Sequence, residues 1–325
     1  MNYLRKLIKP ESSLLWIIAI VCIIFSIMSP VFSKASNLLE ILRQCSTSAI
    51  LILGVTWVIS TGEMDASFPD IAALSSMITA LLIRNGYSFE ISALLAIALC
   101  TLFGVLTSIL VVRFKFQSLI ATIAVSGIAK AIAAIIGKGM PLNVSNIRGS
   151  IVYNLVWGKV AGIPMLFLVA VILYVICVFI QEKTVFGQHI YAIGENRQAA
   201  KEAGISEKKI LSSLFIFSAL FAAIGGVIMM GVLQSGQPKL GSSFFLDGFT
   251  AVFLGAVVIK LGKPNVIGTL IGSILLAILV NGLTLLGSSS FMSQIIKGAL
   301  LLLGVAIVNI ARNKQRGKVG KLSYE

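Results

Sequence analysis

The chain is 325 residues long, 58% hydrophobic and only 12% charged, with a mean hydropathy of +1.01 and a formal net charge of +14. Soluble domains carry about 25% charged residues, so this composition excludes an ordinary water-soluble globule and predicts an all-α polytopic integral membrane protein. The basic residues gather at the ends of apolar segments rather than along one aromatic-lined stripe, which fits orientation in a membrane and argues against nucleic acid as a partner. Cys22, Cys45, Cys100 and Cys177 lie in or beside apolar segments without metal-ligand spacing. They read as small apolar residues, and no metal or cofactor is expected.

A hydrocarbon core of about 30 Å asks for roughly 20 apolar residues per helix, and about ten transmembrane helices result. The first covers residues 14–28 behind Arg5, Lys6 and Lys9; it is longer than a signal-peptide core and lacks a small-x-small cleavage site, so it reads as a retained span. The second covers 38–60. Residues 61–70, with Glu63, Asp65, Pro69 and Asp70, form a polar break, after which come spans at 71–83, 91–112 and 118–137, the last carrying Lys130 inside it. A loop with Pro141, Asn143, Arg148 and Trp157 leads to the sixth span, which ends near residue 180.

Residues 182–210 are the longest strongly charged interruption in the chain. Within them, Asn196 to Ala203 reads as a short Ala-rich amphipathic helix ended by Gly204, with Ser206 capping the next helix and Glu207 in its first turn. The bland reading is a solvated connection between spans; the sharper one is a docking element for a soluble partner. The seventh span, 210–233, contains Gly225-Gly226, where helices can approach closely. A second polar break at 234–243 holds Pro238 and precedes spans at 244–259, 266–286 and 291–310. The tail 312–325 is basic and reads as a solvated cytoplasmic end near anionic membrane lipid.

With a cytoplasmic N-terminus most of the 26 Lys and Arg residues fall on the cytoplasmic side, so both termini and the central loop are expected there. Ionisable groups at bilayer depth are costly and normally face an interior or a water-filled path. Glu63, Asp65, Ser67, Lys130, Asp247 and Asn281 are the candidate translocation-path residues, with Asp70 beside them; the bland reading of each is an interfacial residue at a span end. The two breaks follow the second and seventh spans, which suggests two related halves of opposite orientation. Enzyme chemistry finds little footing. The only histidine, His189, lies in the charged loop without ligand partners at metal spacing, and there is no G-x-x-x-x-G-K-[ST] phosphate loop, so any ATP hydrolysis belongs to a separate chain.

The stretch Phe186-Gly187-Gln188-His189-Ile190-Tyr191-Ala192-Ile193-Gly194-Glu195-Asn196, followed by Ala199-Ala200 and Ala203-Gly204-Ile205, resembles the permease subunits of bacterial ATP-binding-cassette sugar importers. That group contains ribose, xylose, arabinose, methyl-galactoside and autoinducer permeases. Asp247, Ala251-Val252, Leu254-Gly255, residues 267–272 and residues 281–287 continue the resemblance, which spans most of 40–310. It implies a type II ABC importer-like permease in the bacterial inner membrane, with residues 1–325 forming one transmembrane permease domain. It also implies that Gly194, Glu195, Asn196, Arg197, Ala199, Ala200, Lys201, Ala203 and Gly204 form the ATPase-coupling loop.

Partners implied in the same way are an ABC ATPase subunit, a second permease copy or paralogue, an extracytoplasmic solute-binding protein, and a small polar solute such as a sugar. Two departures stand out. Gly62-Glu63-Met64-Asp65-Ala66-Ser67-Phe68-Pro69 replaces a pattern close to G-G-I-D-L-S-V-G, and Leu254-Gly255-Ala256-Val257 with Leu261-Gly262-Lys263-Pro264 replaces L-G-G-T and G-G-K-G. They leave pentose or hexose as a default solute. The competing reading is an ion-coupled secondary transporter using Glu63, Asp65, Asp70 or Lys130, and a poreless membrane scaffold would leave the intramembrane polar breaks unexplained.

Overall fold

A computed structural model describes residues 13–145 and 147–322, so the basic residues at 5, 6 and 9 and the last three of the tail lie outside the described residues. Helices dominate: α1 (Ser13–Met28), α2 (Ala35–Ser60), α3 (Phe68–Arg84), α4 (Phe89–Ser108), α5 (Ser118–Gly137), α6 (Ile151–Trp157), α7 (Met165–Lys183), α8 (Val185–Glu195), α9 (Arg197–Glu202), α10 (Glu207–Leu233), α11 (Gly241–Gly255), α12 (Val266–Leu285) and α13 (Ser290–Leu322). Four two-residue strands, β1 (Leu142–Asn143), β2 (Lys159–Val160), β3 (Ile163–Pro164) and β4 (Ser235–Gly236), form two antiparallel pairs, β1 with β4 and β2 with β3.

Among the described residues, seven helices are long and apolar enough to cross a bilayer, counting α4 together with a π-helical turn at Ile109–Arg113 that continues it. Three of the expected spans fall short of 18 residues: α1 has 16, α3 has 17 and α11 has 15. The eighth expected span reached residue 259; α11 instead stops at Gly255, and residues 256–264 form turns containing Gly262 at φ +83°. The tail differs as well: α13 runs on to Leu322, because Lys, Arg and Gln are good helix formers.

Contacts divide the chain into two units. In residues 42–245, α10 packs along α3 and α4, and α3 also packs on α5. Lipid tails are as apolar as leucine, so helices in a bilayer associate through close packing at small residues rather than through a hydrophobic drive. Here a Cβ on Gly54 of α2 would stand 2.5 Å from Ser218 Cα of α10, and one on Gly104 of α4 would stand 2.6 Å from the Phe215 carbonyl oxygen. Gly226 meets the Ala72 carbonyl in the same manner. Ala80, Phe89, Ala93, Ala96, Val144, Ile147, Val227 and Met230 fill one core beside these crossings.

In the unit made of residues 1–41 and 246–325, α1 packs on α12 and α12 on α13, around Leu14, Leu254, Val258 and Leu275. Asn265 caps α12 by accepting from Gly268 N at 2.7 Å, while its amide donates to Val258 O and Lys263 O, each at 3.1 Å. One side chain thus starts the helix and holds the turn that precedes it.

Candidate functional site

The charged loop at 182–210 folds into two helices instead of the one expected. Thr184, extended at φ −109° and ψ 158°, caps α8 by accepting from Gly187 N. The Phe186 ring then stands 6.0 Å from Trp57 of α2 and 6.5 Å from Phe217 of α10, while Trp57 and Phe217 are themselves 6.0 Å apart. These edge-to-face contacts fasten α8 to both long helices. Burial pushes the Tyr191 phenol up, helped by Glu182, to whose carboxylate it donates at 3.3 Å. At the end of α8, Gly194 lies against the carbonyl oxygen of Ser60, the last residue of α2, so closely that a methyl group could not be accommodated.

The short helix expected from Asn196 onward is present as α9. Asn196 Oδ1 accepts from Gln198 N at 3.0 Å and from Ala199 N at 3.1 Å. At the other end Gly204 takes φ +80°, Gly204 N donates to Lys201 O, and Ile205 N donates to Ala200 O, both at 3.0 Å, which is the Schellman closure. Ala200 is buried, whereas Gln198, Ala199, Lys201 and Glu202 are exposed on one face. Ser206 differs from expectation: its side chain makes no capping hydrogen bond, and Glu207 supplies the negative charge at the start of α10.

Arg197 ties this element to the first polar break. Its guanidinium donates to Glu63 Oε1 and, at 3.5 Å, to the Thr61 carbonyl, and it lies 3.5 Å from Glu207 Oε1. Glu63 is only 12% exposed at its side chain. Next to it, Met64 N donates to Ser118 Oγ of α5 at 3.2 Å. Asp65, fully buried, accepts from Ser67 N at 2.8 Å and from Ser67 Oγ at 2.6 Å. That use of the Ser67 hydroxyl explains why Ser67 makes no side-chain cap to α3, whose first turn is set instead by Pro69.

The second break runs along the same helix. Gln234 takes φ +50°, β4 pairs with β1, Gln237 N donates to Ser76 Oγ at 3.2 Å, and Gly241 lies on the Asp70 carboxylate. Both breaks therefore border α3, one at its start and one along its length.

The six path candidates separate. Glu63 pairs with Arg197 of α9, Asp65 and Ser67 bond to each other just before α3, and Lys130 is exposed on α5. In the other unit Asp247 of α11 forms an ion pair of 2.5 Å with Lys297 of α13, and Asn281 exchanges reciprocal amide hydrogen bonds of 2.9 and 3.0 Å with Asn37. Lys297 and Asn37 were missed in the sequence. Lys297 had a signal, a lone cation seven residues into an apolar segment; Asn37, at the edge of a polar stretch, had none.

The chain matches the family model described as "Branched-chain amino acid transport system / permease component" over residues 37–305. It is 30% identical over 310 residues to the ribose import permease protein RbsC of Escherichia coli (strain K12), covering 94% of this chain and 96% of that protein. Over 289 residues it is 33% identical to the ribose import permease protein RbsC of Bacillus subtilis (strain 168), 89% of each chain. It is 28% identical over 354 residues to the xylose transport system permease protein XylH of Haemophilus influenzae (strain ATCC 51907 / DSM 11121 / KW20 / Rd), covering 89% of this chain and 93% of that one. No solved structure matches. The extent of the family match, residues 37–305 of 325, means that this protein belongs to the permease components of the branched-chain amino acid transport system family.

Proposed function

We propose that this chain is the pore-forming subunit of an ATP-driven importer for a sugar or a similar small polar solute. Its relatives are ribose and xylose permeases, and the hydrolytic motor is a separate ABC ATPase. A second permease copy or paralogue completes the pore, and an extracytoplasmic solute-binding protein delivers the solute. In this reading residues 1–325 form one transmembrane domain of about ten spans in two related halves, in a bacterial inner membrane with both termini cytoplasmic.

The observation that carries the reading is the mounting of α9. The helix is closed at both ends, presents Gln198, Ala199, Lys201 and Glu202 outward, and is held by the Gly194–Ser60 contact and the Arg197–Glu63 pair. A displacement imposed on α9 by the ATPase passes through these two contacts to the end of α2 and the break before α3. Ala200 anchors the helix from beneath, so the residues that meet the partner are its exposed neighbours. The ion-coupled alternative is not favoured: the relatives are importer permeases, and one of its acids, Glu63, already holds a cation, Arg197.

The test is co-purification of the tagged chain with the ATPase encoded beside it, comparing wild type with Ala199→Glu/Lys201→Glu. The ATPase is expected with wild type and lost from the variant, while the membrane protein stays monodisperse. Equal recovery with both forms, or with neither, overturns the assignment.

A further inference from the structure

Ionisable groups inside the spans fall into two kinds here. Asp247 is neutralised by Lys297. Asp70 and Lys130 are not: among the described residues neither forms an ion pair, and Asp70 has only the hydroxyl of Ser126, which donates to Asp70 Oδ2 at 2.5 Å. Ser126 is the ninth residue of α5, about 12 Å along its axis from the start at 1.5 Å per residue, and so lies near mid-bilayer. Lys130 is one turn further on and exposed, and Gly127 between them opens onto empty space. An unpaired carboxylate and an unpaired ammonium at this depth are sustained by water rather than lipid.

The backbone argues the same way. The chain from Gln234 to Leu240 is non-helical while it runs beside Ser76 and Ala80 of α3, and the carboxylate of Asp70 lies against Gly241 where α11 begins. Irregular backbone at membrane depth is tolerated where it is buried in protein or borders a water-filled cavity.

We propose that Asp70, Ser126 and Lys130 line the solute path at mid-membrane and contact the hydroxyls of a neutral, polyhydroxylated solute. This rests on the importer reading and assigns it a polar contact point. The free oxygen of Asp70 accepts from a solute hydroxyl, the Ser126 hydroxyl turns between carboxylate and solute, and the Lys130 ammonium donates. An anionic solute is repelled by Asp70.

The experiment uses the full chain with its ATPase in membrane vesicles, on a background in which the four native cysteines are replaced. Cysteine is placed singly at 126, 127 and 130, and at Ile128, which is 49% exposed and, two residues from both Ser126 and Lys130, lies on the other side of α5. A charged, membrane-impermeant methanethiosulfonate reagent is applied with and without ribose or xylose. Labelling at 126, 127 and 130 but not at 128, slowed by either sugar, is the expected result. Reactivity at 127 and 130 no greater than at 128 overturns the proposal, and Gly127→Cys serves even if position 126 tolerates no change, since nothing crowds it.

As a second measurement, Asp70→Asn is expected to lower the transport rate about tenfold, the scale of one lost charge-assisted hydrogen bond, with ATPase still bound. Unchanged transport overturns the proposal. Loss of the importer reading looks different: no ATPase is bound to any form, whatever the labelling pattern.

Discussion

Removing the charge of Lys297 by Lys297→Met exposes what the Asp247 pair contributes. At 2.5 Å, with the two side chains 12% and 17% exposed, the attraction at an effective dielectric of about 20 is about 7 kcal/mol. Desolvating two ions costs several kcal/mol each, so the intact pair is close to neutral in net stability. Breaking it is not: an uncompensated carboxylate left between α11 and α13 costs about 3–5 kcal/mol. Asp247→Leu costs a similar amount by stranding the ammonium. The double variant Asp247→Leu/Lys297→Met removes both charges and is expected to recover most of what either single variant loses. Reversible unfolding in mixed dodecyl-sulfate and neutral-detergent micelles measures all four forms of the cycle. Single losses that simply add in the double variant would refute the pairing of Asp247 with Lys297.

Glu63→Arg is expected to uncouple transport from ATP hydrolysis, and Glu63→Arg/Arg197→Glu to restore part of it; parallel assays of uptake and hydrolysis check this, and no rescue by the double variant counts against the link between α9 and the first break. Gly54→Val drives a side chain into the Ser218 backbone, where a Cβ already stands at 2.5 Å, and overpacking of this kind costs about 1–3 kcal/mol or more. Thermal unfolding in detergent reads it, with Gly127→Val as the control that should be tolerated.

Hydropathy made the apolar segments legible, because a bilayer imposes length and composition on each helix independently of its neighbours. The α9 helix was legible for a similar reason: Asn196, the alanines and Gly204 are local start and stop signals. Its neighbour α8 was hidden, since Val185–Glu195 mixes aromatic, glycine and polar residues and its start rests on the single Thr184 cap. Pairings were the least legible feature. Asn37 and Asn281 are 244 residues apart, and a hydropathy profile gives a residue's depth in the membrane but not the direction it faces. Asp70 illustrates the difficulty: its sequence neighbours suggest an interfacial acid, and only the position of Ser126 on another helix places it deep.

The closure of α9 has a kinetic corollary. A helix of six residues is far below the length that is stable alone in water, yet here Asn196, Gly204 and buried Ala200 hold it folded without a partner. A partner that binds it therefore meets a finished surface and forfeits little chain entropy on each encounter. Under the proposed coupling role, engagement and release of α9 can then be quick, with no loop to refold on each cycle.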